Sequence, residues 1–336
     1  MRVEKILHTA DLHLGAKNVK LPLIKQKQLL QEHIDSLSTL FQEDSDVMLV
    51  CGDLFHTNFV TQKIKKAFFK EVEKFGRPVL YINGNHDEKM EFEFAPSNFI
   101  VLDEKNNVFR TENVDFWSAC EEYQNFDYSK KNVLLLHGEI SNKSDYDFVD
   151  LKKYVTKPFD YIALGHEHSF WKGTFQKSLI CYSGALFANG FDECGEKGFV
   201  LVDVKDEVKA EFKPLPQRQF KIVEFALTPG QENLSNELKK VIEENKNNLL
   251  RLVFTGYYAE GEKPDFASII RGANAFYVEF VDKTKVEIDI ERYKNEPLSF
   301  KAEFIRLVEE AELGEEEKNK ILTIGIEALK GDDLSL

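Results

Sequence analysis

Short apolar runs alternate with longer amphipathic segments along the first half of the chain. The runs predict buried strands at residues 4–10, 47–51, 79–82, 133–136 and 161–164. Between the first three strands, residues 22–43 and 60–75 carry apolar side chains at helical spacing, which predicts two helices. Alternating strands and helices are typical of a βαβ sheet, in which the carboxyl ends of the strands carry the chemistry.

The rest of the chain predicts a second sheet and a second domain. Residues 170–225 are all-β in character, and we expect them to form an antiparallel-leaning sheet packed on the first. After a linker near 226–232, the pattern predicts helices and strands at 232–246, 249–256, 265–271, 275–281, Val286–Ile290, 298–311 and 315–330. The fold class is therefore α/β, α+β in detail. A two-sheet β-sandwich core flanked by helices (1–227) precedes a small α/β domain ending in a helical hairpin (228–336).

Composition narrows the class of protein. The net charge of −14 argues against a protein that coats nucleic acid, although it leaves room for a nuclease whose bound cations add positive charge locally. No apolar stretch is long enough to span a membrane, and the N-terminus runs directly into a strand without a signal-peptide pattern. Four scattered cysteines, without a C-x-x-C pair, predict free thiols in a reducing cytoplasm.

Polar side chains follow the predicted strands in a regular way. His166 and His168 come directly after a buried strand that Gly165 ends, and Asp11 and His13 follow the first strand with the same spacing. Residues two apart on an extended chain point the same way, so each pair can converge on one small volume. This spacing is typical of metal ligands.

The eight histidines strengthen this interpretation, because all except His33 lie in or near the end of a predicted strand. We predict that Asp11, His13 and His168 hold one ion. A second ion would be held by Asn85, His137 and His166, and Asp53 would bridge the two ions at a separation of roughly 3.5–4 Å. Imidazoles and carboxylates without thiolates suit Mn²⁺, Fe²⁺ or Zn²⁺ in a hydrolytic site, and Mg²⁺ remains open.

The predicted chemistry is attack of a metal-activated hydroxide on phosphorus. His86 adjoins a ligand without being needed as one, so we expect it to stabilise the transition state or to protonate the leaving oxygen. His56 is expected to assist it. His8 is left open between a supporting role and a core role, and His33 is expected to be structural or on the surface. The lysines of the 60–75 helix are typical of a solvated face, with contact to a phosphate backbone as the alternative.

Five segments resemble the motifs of the calcineurin-like metallophosphoesterases: Asp11-Leu12-His13, Gly52-Asp53, Gly84-Asn85-His86-Asp87, His137-Gly138 and Gly165-His166-Glu167-His168. The sequence around Asp11 and the segment Gly52-Asp53-Leu54-Phe55-His56 are similar to the corresponding sequences in the nuclease subunits of SbcC–SbcD-type DNA-break repair complexes. This resemblance implies a Mn²⁺-dependent exonuclease and endonuclease in which His86 is catalytic and His56 helps to place the DNA. It also implies a homodimer formed through nuclease-domain helices, a small domain that contacts DNA, and an SbcC-like ATPase of the SMC family as partner.

Three functions remain in competition. The leading one is a dinuclear metal-dependent DNA nuclease in repair or recombination. The alternative is a phosphatase or cyclic-nucleotide phosphodiesterase on the same site, which would hydrolyse small phosphoesters far faster than DNA. A non-catalytic scaffold that keeps the fold is disfavoured by the complete ligand set, and failure to bind about two metals per chain would revive it.

Overall fold

The computed structural model describes residues 1–17, 21–57, 59–87, 90, 92–140, 148–287 and 289–330. The chain divides into two compact units, Met1–Lys221 and Ile222–Leu336. None of the described helices combines the length and the apolar character needed to cross a membrane. Cys51, Cys120, Cys181 and Cys194 are all free of disulfides, as predicted.

The first unit follows the predicted alternation of strands and helices. Its elements, in chain order, are β1 (Lys5–Thr9), α1 (Leu23–Phe41), β2 (Val47–Cys51), α2 (Gln62–Phe75), β3 (Val79–Ile82), β4 (Phe99–Val101), β5 (Val108–Arg110), β6 (Val114–Ser118), β7 (Lys131–His137), α3 (Lys152–Val155), β8 (Tyr161–Gly165), β9 (Trp171–Phe175), β10 (Ser178–Tyr182), β11 (Gly198–Asp203) and β12 (Lys209–Pro214).

Two six-stranded sheets form the core of this unit, with strand orders β12-β11-β1-β2-β3-β4 and β5-β6-β7-β8-β10-β9. Strands β1 to β4 pair in parallel, as do β6, β7, β8 and β10. Parallel strands send their carboxyl ends to one edge of each sheet. The polar residues that follow β1, β2, β3, β7 and β8 are therefore gathered at those edges.

Apolar side chains fill three layers around the sheets. Between the sheets, residues such as Leu49 and Leu80 of the first pack with Val133 and Tyr161 of the second. Helices α1 and α2 cover the outer face of the first sheet, where Phe68 is fully buried. A third cluster covers the outer face of the second sheet. Strands buried on both faces read as nearly continuous apolar runs, which explains why the sequence pattern predicted them well.

The segment 170–225 does not form a sheet of its own, contrary to our expectation. Strands β9 and β10 extend the second sheet. Strand β11 joins the first sheet antiparallel to β1, and β12 pairs antiparallel with β11 at the edge of that sheet. A last strand, β13 (Phe220–Leu227), belongs to the sheet of the second unit. The two compact units divide at residues 221/222, near the start of this strand, which pairs with β14 of the second unit.

The second unit continues from β13 with α4 (Leu234–Glu244), β14 (Leu249–Ala259), α5 (Phe266–Ile270), β15 (Tyr277–Asp282), β16 (Lys285–Glu287), α6 (Ile290–Lys294), α7 (Phe300–Glu310) and α8 (Glu315–Lys330). Strands β13, β14, β15 and β16 form one sheet, and α7 and α8 form the predicted hairpin. The predicted strand Val286–Ile290 is wrong at its end. Ile288 lies outside the described residues, and Ile290 begins α6 after Asp289 caps it by accepting from Arg292 N.

Candidate metal centre

Both sheets contribute to one group of polar side chains. Asp11 and His13 follow β1, Asp53 follows β2, and Asn85 and His86 follow β3, so these residues come from the first sheet. The second sheet contributes the remaining predicted ligands: His137 ends β7, and His166 and His168 follow β8.

The backbone is strained where these side chains are presented. Four of the predicted ligands have positive φ angles, namely Asp11 (51°), His13 (41°), Asp53 (51°) and His166 (103°). Such angles are uncommon for residues with a Cβ, and they cluster at functional sites because the surrounding structure holds them there. Four of the seven non-glycine residues with positive φ in the described part of the chain are therefore predicted ligands.

Asp11 is fully buried and receives two contacts from one backbone amide. The N–H of His166 lies 3.2 Å from Oδ1 and 3.0 Å from Oδ2 of Asp11, which links a residue after β1 to one after β8. Burial raises the pKa of the Asp11 carboxyl well above its ordinary value, because the charged form loses its hydration. A cation beside this carboxylate would replace that lost hydration.

Asp53 occupies the middle of the group. Its Oδ1 accepts a 2.9 Å hydrogen bond from the backbone N–H of His86. Its Oδ2 lies 3.6 Å from Nε2 of His13 and 3.6 Å from Nε2 of His137. One carboxylate oxygen is thus equidistant from two imidazoles that belong to different predicted ions, which is the position required of a bridging ligand.

The imidazoles are arranged with their metal-binding nitrogens inward. His137 donates from Nδ1 to the carbonyl oxygen of Cys51 over 2.9 Å, so its neutral ring keeps a lone pair on Nε2. That Nε2 lies 3.0 Å from Oδ1 of Asn85. Nε2 of His13 lies 3.2 Å from Nε2 of His168. Burial lowers the pKa of His13 and of His137, which favours the neutral form that binds metals.

These donors fit divalent cations. Three groups have ligand atoms within 4.8 Å of one another: Asp11, His13 and His168; Asp11, Asp53 and His137; and His13, His56 and His86. The first group is the set predicted for one ion. Nitrogen and oxygen donors of this kind suit Mn²⁺, Fe²⁺ or Zn²⁺.

His166 enters none of these three groups, which were sought among the described residues. Its ring centroid lies 5.4 Å from that of His137, on the side of the second predicted ion. The structure therefore brings all seven predicted ligands into one region.

His86 and His56 lie together at the edge of the group. Their rings stack with centroids 5.5 Å apart, and Nδ1 of His86 donates to the carbonyl oxygen of His56 over 3.1 Å. The His86 ring lies 4.9 Å from the His13 ring and is exposed to solvent. Burial lowers the pKa of His56. The carbonyl of His56, rather than its ring, is the group that orients His86.

The other two histidines lie elsewhere. His8 is fully buried between the sheets, and its Nδ1 lies 2.8 Å from the hydroxyl oxygen of Tyr161. This contact assigns His8 to the core, the alternative that the sequence left open. His33 stacks on Phe187 at a centroid distance of 4.3 Å and is structural, as expected.

Three residues around the site were given no role from the sequence. Glu193 accepts from Nδ1 of His168 over 2.5 Å, and Lys197 donates to the His168 carbonyl over 2.7 Å. The hydrogen bond to Glu193 raises the pKa of His168. Asp87 is buried and accepts from the N–H groups of Leu54 and Gly84, each over 2.8 Å, so it joins the loops after β2 and β3. Asp87 follows His86 directly, a local signal that could have found it. Glu193 has no comparable signal.

Gly84 allows this close packing. A Cβ added there would lie 2.5 Å from the backbone nitrogen of Asp53 and closer still to Oδ1 of the same residue. The position cannot hold a larger residue without moving Asp53.

Clustered carboxylates and imidazoles at the carboxyl ends of two facing sheets define a metal-dependent hydrolase. Comparison with protein families identifies its class. The sequence matches the calcineurin-like phosphoesterase family over residues 4–173 of 336, and the chain belongs to this family. It is therefore a metal-dependent phosphoester hydrolase, in agreement with the resemblance seen in the sequence.

Similar proteins are known from bacteria and animals. The D subunit of the nuclease SbcCD of Staphylococcus saprophyticus is 26% identical over 273 residues, which cover 66% of this chain and 71% of that protein. Among solved structures, TT1561 of Thermus thermophilus covers 63% of this chain and 99% of its own at 12% identity and a TM-score of 0.41. A dimetal phosphatase from Danio rerio covers 62% of this chain and 99% of its own at 10% identity and a TM-score of 0.38.

Proposed function

We propose that this protein is a dinuclear metal-dependent DNA nuclease with exonuclease and endonuclease activity, acting in DNA repair or recombination. The observation that carries the proposal is the position of Asp53, whose Oδ2 lies 3.6 Å from both His13 and His137. A bridging carboxylate between two ligand groups suits a pair of ions that clamps a phosphodiester. Similarity to an SbcD-type nuclease subunit supports DNA as the substrate.

Each side chain has a role in this proposal. Asp11, His13 and His168 would hold one ion, Asn85, His137 and His166 the other, and Asp53 both. When bound, the ions supply Lewis-acid charge and lower the pKa of a water molecule. Mn²⁺ is the ion that we favour, because nitrogen and oxygen ligands suit it and the resemblance implies it.

His86 is the proposed catalytic residue. Its Nδ1 is engaged with the His56 carbonyl, so Nε2 is the nitrogen that can transfer a proton or a hydrogen bond to a reacting oxygen. The exposed ring is open to a substrate from solvent. His56 stacks beside it and is proposed to help place the DNA.

A cavity of about 880 Å³ opens beside His56, and its lining supports an anionic polymer as substrate. Lys17, Lys27 and Lys63 line it together with exposed Phe59. Among the described residues, none of the three lysines has a carboxylate partner, whereas Lys74 farther along α2 is paired with Glu71. Unpaired ammonium groups beside the proposed catalytic histidines can bind the phosphates of DNA, and an exposed aromatic ring can stack on its bases.

The proposal includes partners. Leu23, Ile24 and Phe59 are exposed apolar side chains on or near α1 and α2, which supports a homodimer formed through this face. In the second unit, Leu298, Phe300 and Leu307 are exposed around the helical hairpin, which supports docking of an SbcC-like ATPase there. The small domain is also proposed to contact DNA. Free cysteines are compatible with action in the reducing cytoplasm.

The test is Mn²⁺-dependent degradation of end-labelled linear duplex DNA by the full chain, with and without a chelator. Nitrophenyl phosphoesters and cyclic nucleotides are assayed beside it. Loss of label that requires metal, with slow turnover of the small esters, is the expected result. Fast turnover of the small esters with intact DNA would favour the phosphatase or cyclic-nucleotide phosphodiesterase. Absence of metal binding would favour a non-catalytic scaffold.

A further inference from the structure

The imidazole ring of His168 is held by a carboxylate that is largely shielded from solvent. Nδ1 of His168 donates to Oε1 of Glu193 over 2.5 Å, and the Glu193 side chain is only 13% exposed. An ionised carboxylate has no proton to give, so the shared proton belongs to Nδ1 of the imidazole. The neutral ring then keeps its lone pair on Nε2, the atom that lies 3.2 Å from Nε2 of His13.

Glu193 is itself anchored by its own loop. Its Oε2 accepts a 2.7 Å hydrogen bond from the backbone N–H of Asn189, and its backbone N–H donates to the carbonyl of Gly190 over 3.1 Å. Both carboxylate oxygens are therefore engaged. The side chain cannot turn away from His168 without losing a second hydrogen bond.

The backbone of His168 is fixed as well. Lys197, whose residue surface is 5% exposed, donates from Nζ to the His168 carbonyl over 2.7 Å. The N–H of Ala185 donates to the same carbonyl over 3.2 Å. Burying a carboxylate and an ammonium group is unfavourable unless each is well paired. Here both charged groups are directed at one residue, which indicates that its placement is what they serve.

We propose that Glu193, supported by Lys197, is the positioning residue that keeps His168 in its metal-binding tautomer and orientation. The proposal rests on the proposed function only in taking His168 as a metal ligand. A carboxylate on the second nitrogen of a ligating imidazole orients the ring and strengthens it as a donor, and its loss typically weakens metal binding by about 10–100-fold.

Calorimetric titration of the full-length, metal-free protein with Mn²⁺ gives the first readout. Glu193→Ala is compared with wild type, with His168→Ala as the reference for a lost ligand. Glu196→Gln is the matched control, because it removes one negative charge from an exposed position of the same loop. We expect two ions per wild-type chain. In Glu193→Ala one of the two should bind about 10–100-fold more weakly, with no change in the control.

The tautomer of His168 gives a second readout that does not need metal. In the metal-free protein labelled with ¹⁵N-histidine, the His168 signals are assigned by their absence in His168→Ala. We expect Nδ1 to carry the proton in wild type and the proton to move towards Nε2 in Glu193→Ala. A role limited to packing would leave the tautomer unchanged.

Glu193→Gln is measured in parallel, and it remains informative if the alanine variant does not fold. Glutamine can still accept from Nδ1 but carries no charge, so a smaller loss of affinity is expected. Unchanged affinity and unchanged tautomer in either folded variant would overturn the role of Glu193. If wild type binds no Mn²⁺ while the tautomer still depends on Glu193, the proposed metal site fails and the positioning of His168 stands.

Discussion

The backbone N–H of His86 donates a 2.9 Å hydrogen bond to Oδ1 of Asp53. The proposed catalytic residue and the proposed bridging ligand are thus joined through the main chain and not through the imidazole. A change at Asp53 removes a ligand and also releases the loop that carries His86. Truncation of the His86 ring leaves this hydrogen bond in place, so His86 is the residue at which chemistry can be separated from metal binding.

We therefore expect His86→Ala to lower the rate of Mn²⁺-dependent DNA cleavage by about 10²–10⁴-fold, the usual contribution of a general acid or a comparable transition-state contact. Mn²⁺ stoichiometry, measured by calorimetry, should equal that of wild type. An unchanged cleavage rate would show that His86 is not catalytic or that the activity comes from a contaminant.

Gly84→Ala should abolish activity and weaken metal binding. The new methyl group would collide with the backbone nitrogen and Oδ1 of Asp53. A backbone atom cannot move aside as easily as the end of a flexible side chain, so the clash would displace Asp53. Gly272→Ala is the control, because a Cβ at that position meets nothing within 4 Å. Mn²⁺ titration measures the metal affinity of both variants, and thermal melting shows whether each is folded. Wild-type affinity in folded Gly84→Ala would contradict the crowding argument.

Lys63→Ala should weaken binding of the protein to DNA and reduce the salt dependence of binding by about one unit of slope, because one phosphate contact is lost. Lys74→Ala lies on the same helix but removes a lysine that is paired with Glu71, so it serves as the control. Fluorescence anisotropy at several salt concentrations measures the slope. Equal slopes for both variants would remove the cavity beside His56 from the DNA path.

His8 should make the protein sensitive to mild acid. Burial lowers the pKa of this imidazole from 6.5 to about 3. As the pH falls below 6.5, the unfolded chain takes up a proton that the native core excludes, so the free energy of unfolding decreases by about 1.4 kcal/mol per pH unit. Above pH 6.5 both states are neutral, and His8 contributes no pH dependence.

Urea unfolding of the metal-free protein at about pH 7.5 and about pH 5 measures this effect. Other buried histidines add to the slope, so the comparison is with His8→Asn, whose amide can still pair with the hydroxyl group of Tyr161. The asparagine variant should lose less stability between the two pH values than wild type does. Identical losses would show that His8 can be protonated within the folded core.

The sequence predicted the first unit well because its signals are local. Buried strands such as β2 appear as apolar runs, and the residues after them must lie at the carboxyl edge of a parallel sheet. Asp53 and His137 could therefore be assigned to one site although they are far apart in the chain. Several motif residues lie in loops with unusual backbone angles, such as the positive φ of Asp11. The spacing of apolar residues does not predict such angles.

Features that depend on distant pairing were not predictable in the same way. Nothing in the pattern of residues 170–225 states that β11 pairs with β1 while β10 pairs with β8. The alternation in Val286–Ile290 suits a strand, but the capping carboxylate of Asp289 favours a helix at Ile290. Glu193 lies in a loop whose approach to His168 exists only after folding.

The seven predicted ligands come from both sheets: Asp11, His13, Asp53 and Asn85 from the first, and His137, His166 and His168 from the second. Cations bound among them would cross-link the two sheets of the sandwich at their shared edge. Loading with Mn²⁺ should then slow amide hydrogen exchange in both sheets together, in β1 and β2 of the first and in β7 and β8 of the second. The same ions that make the protein a hydrolase would fasten its two halves, so the apoprotein would be the more easily opened form.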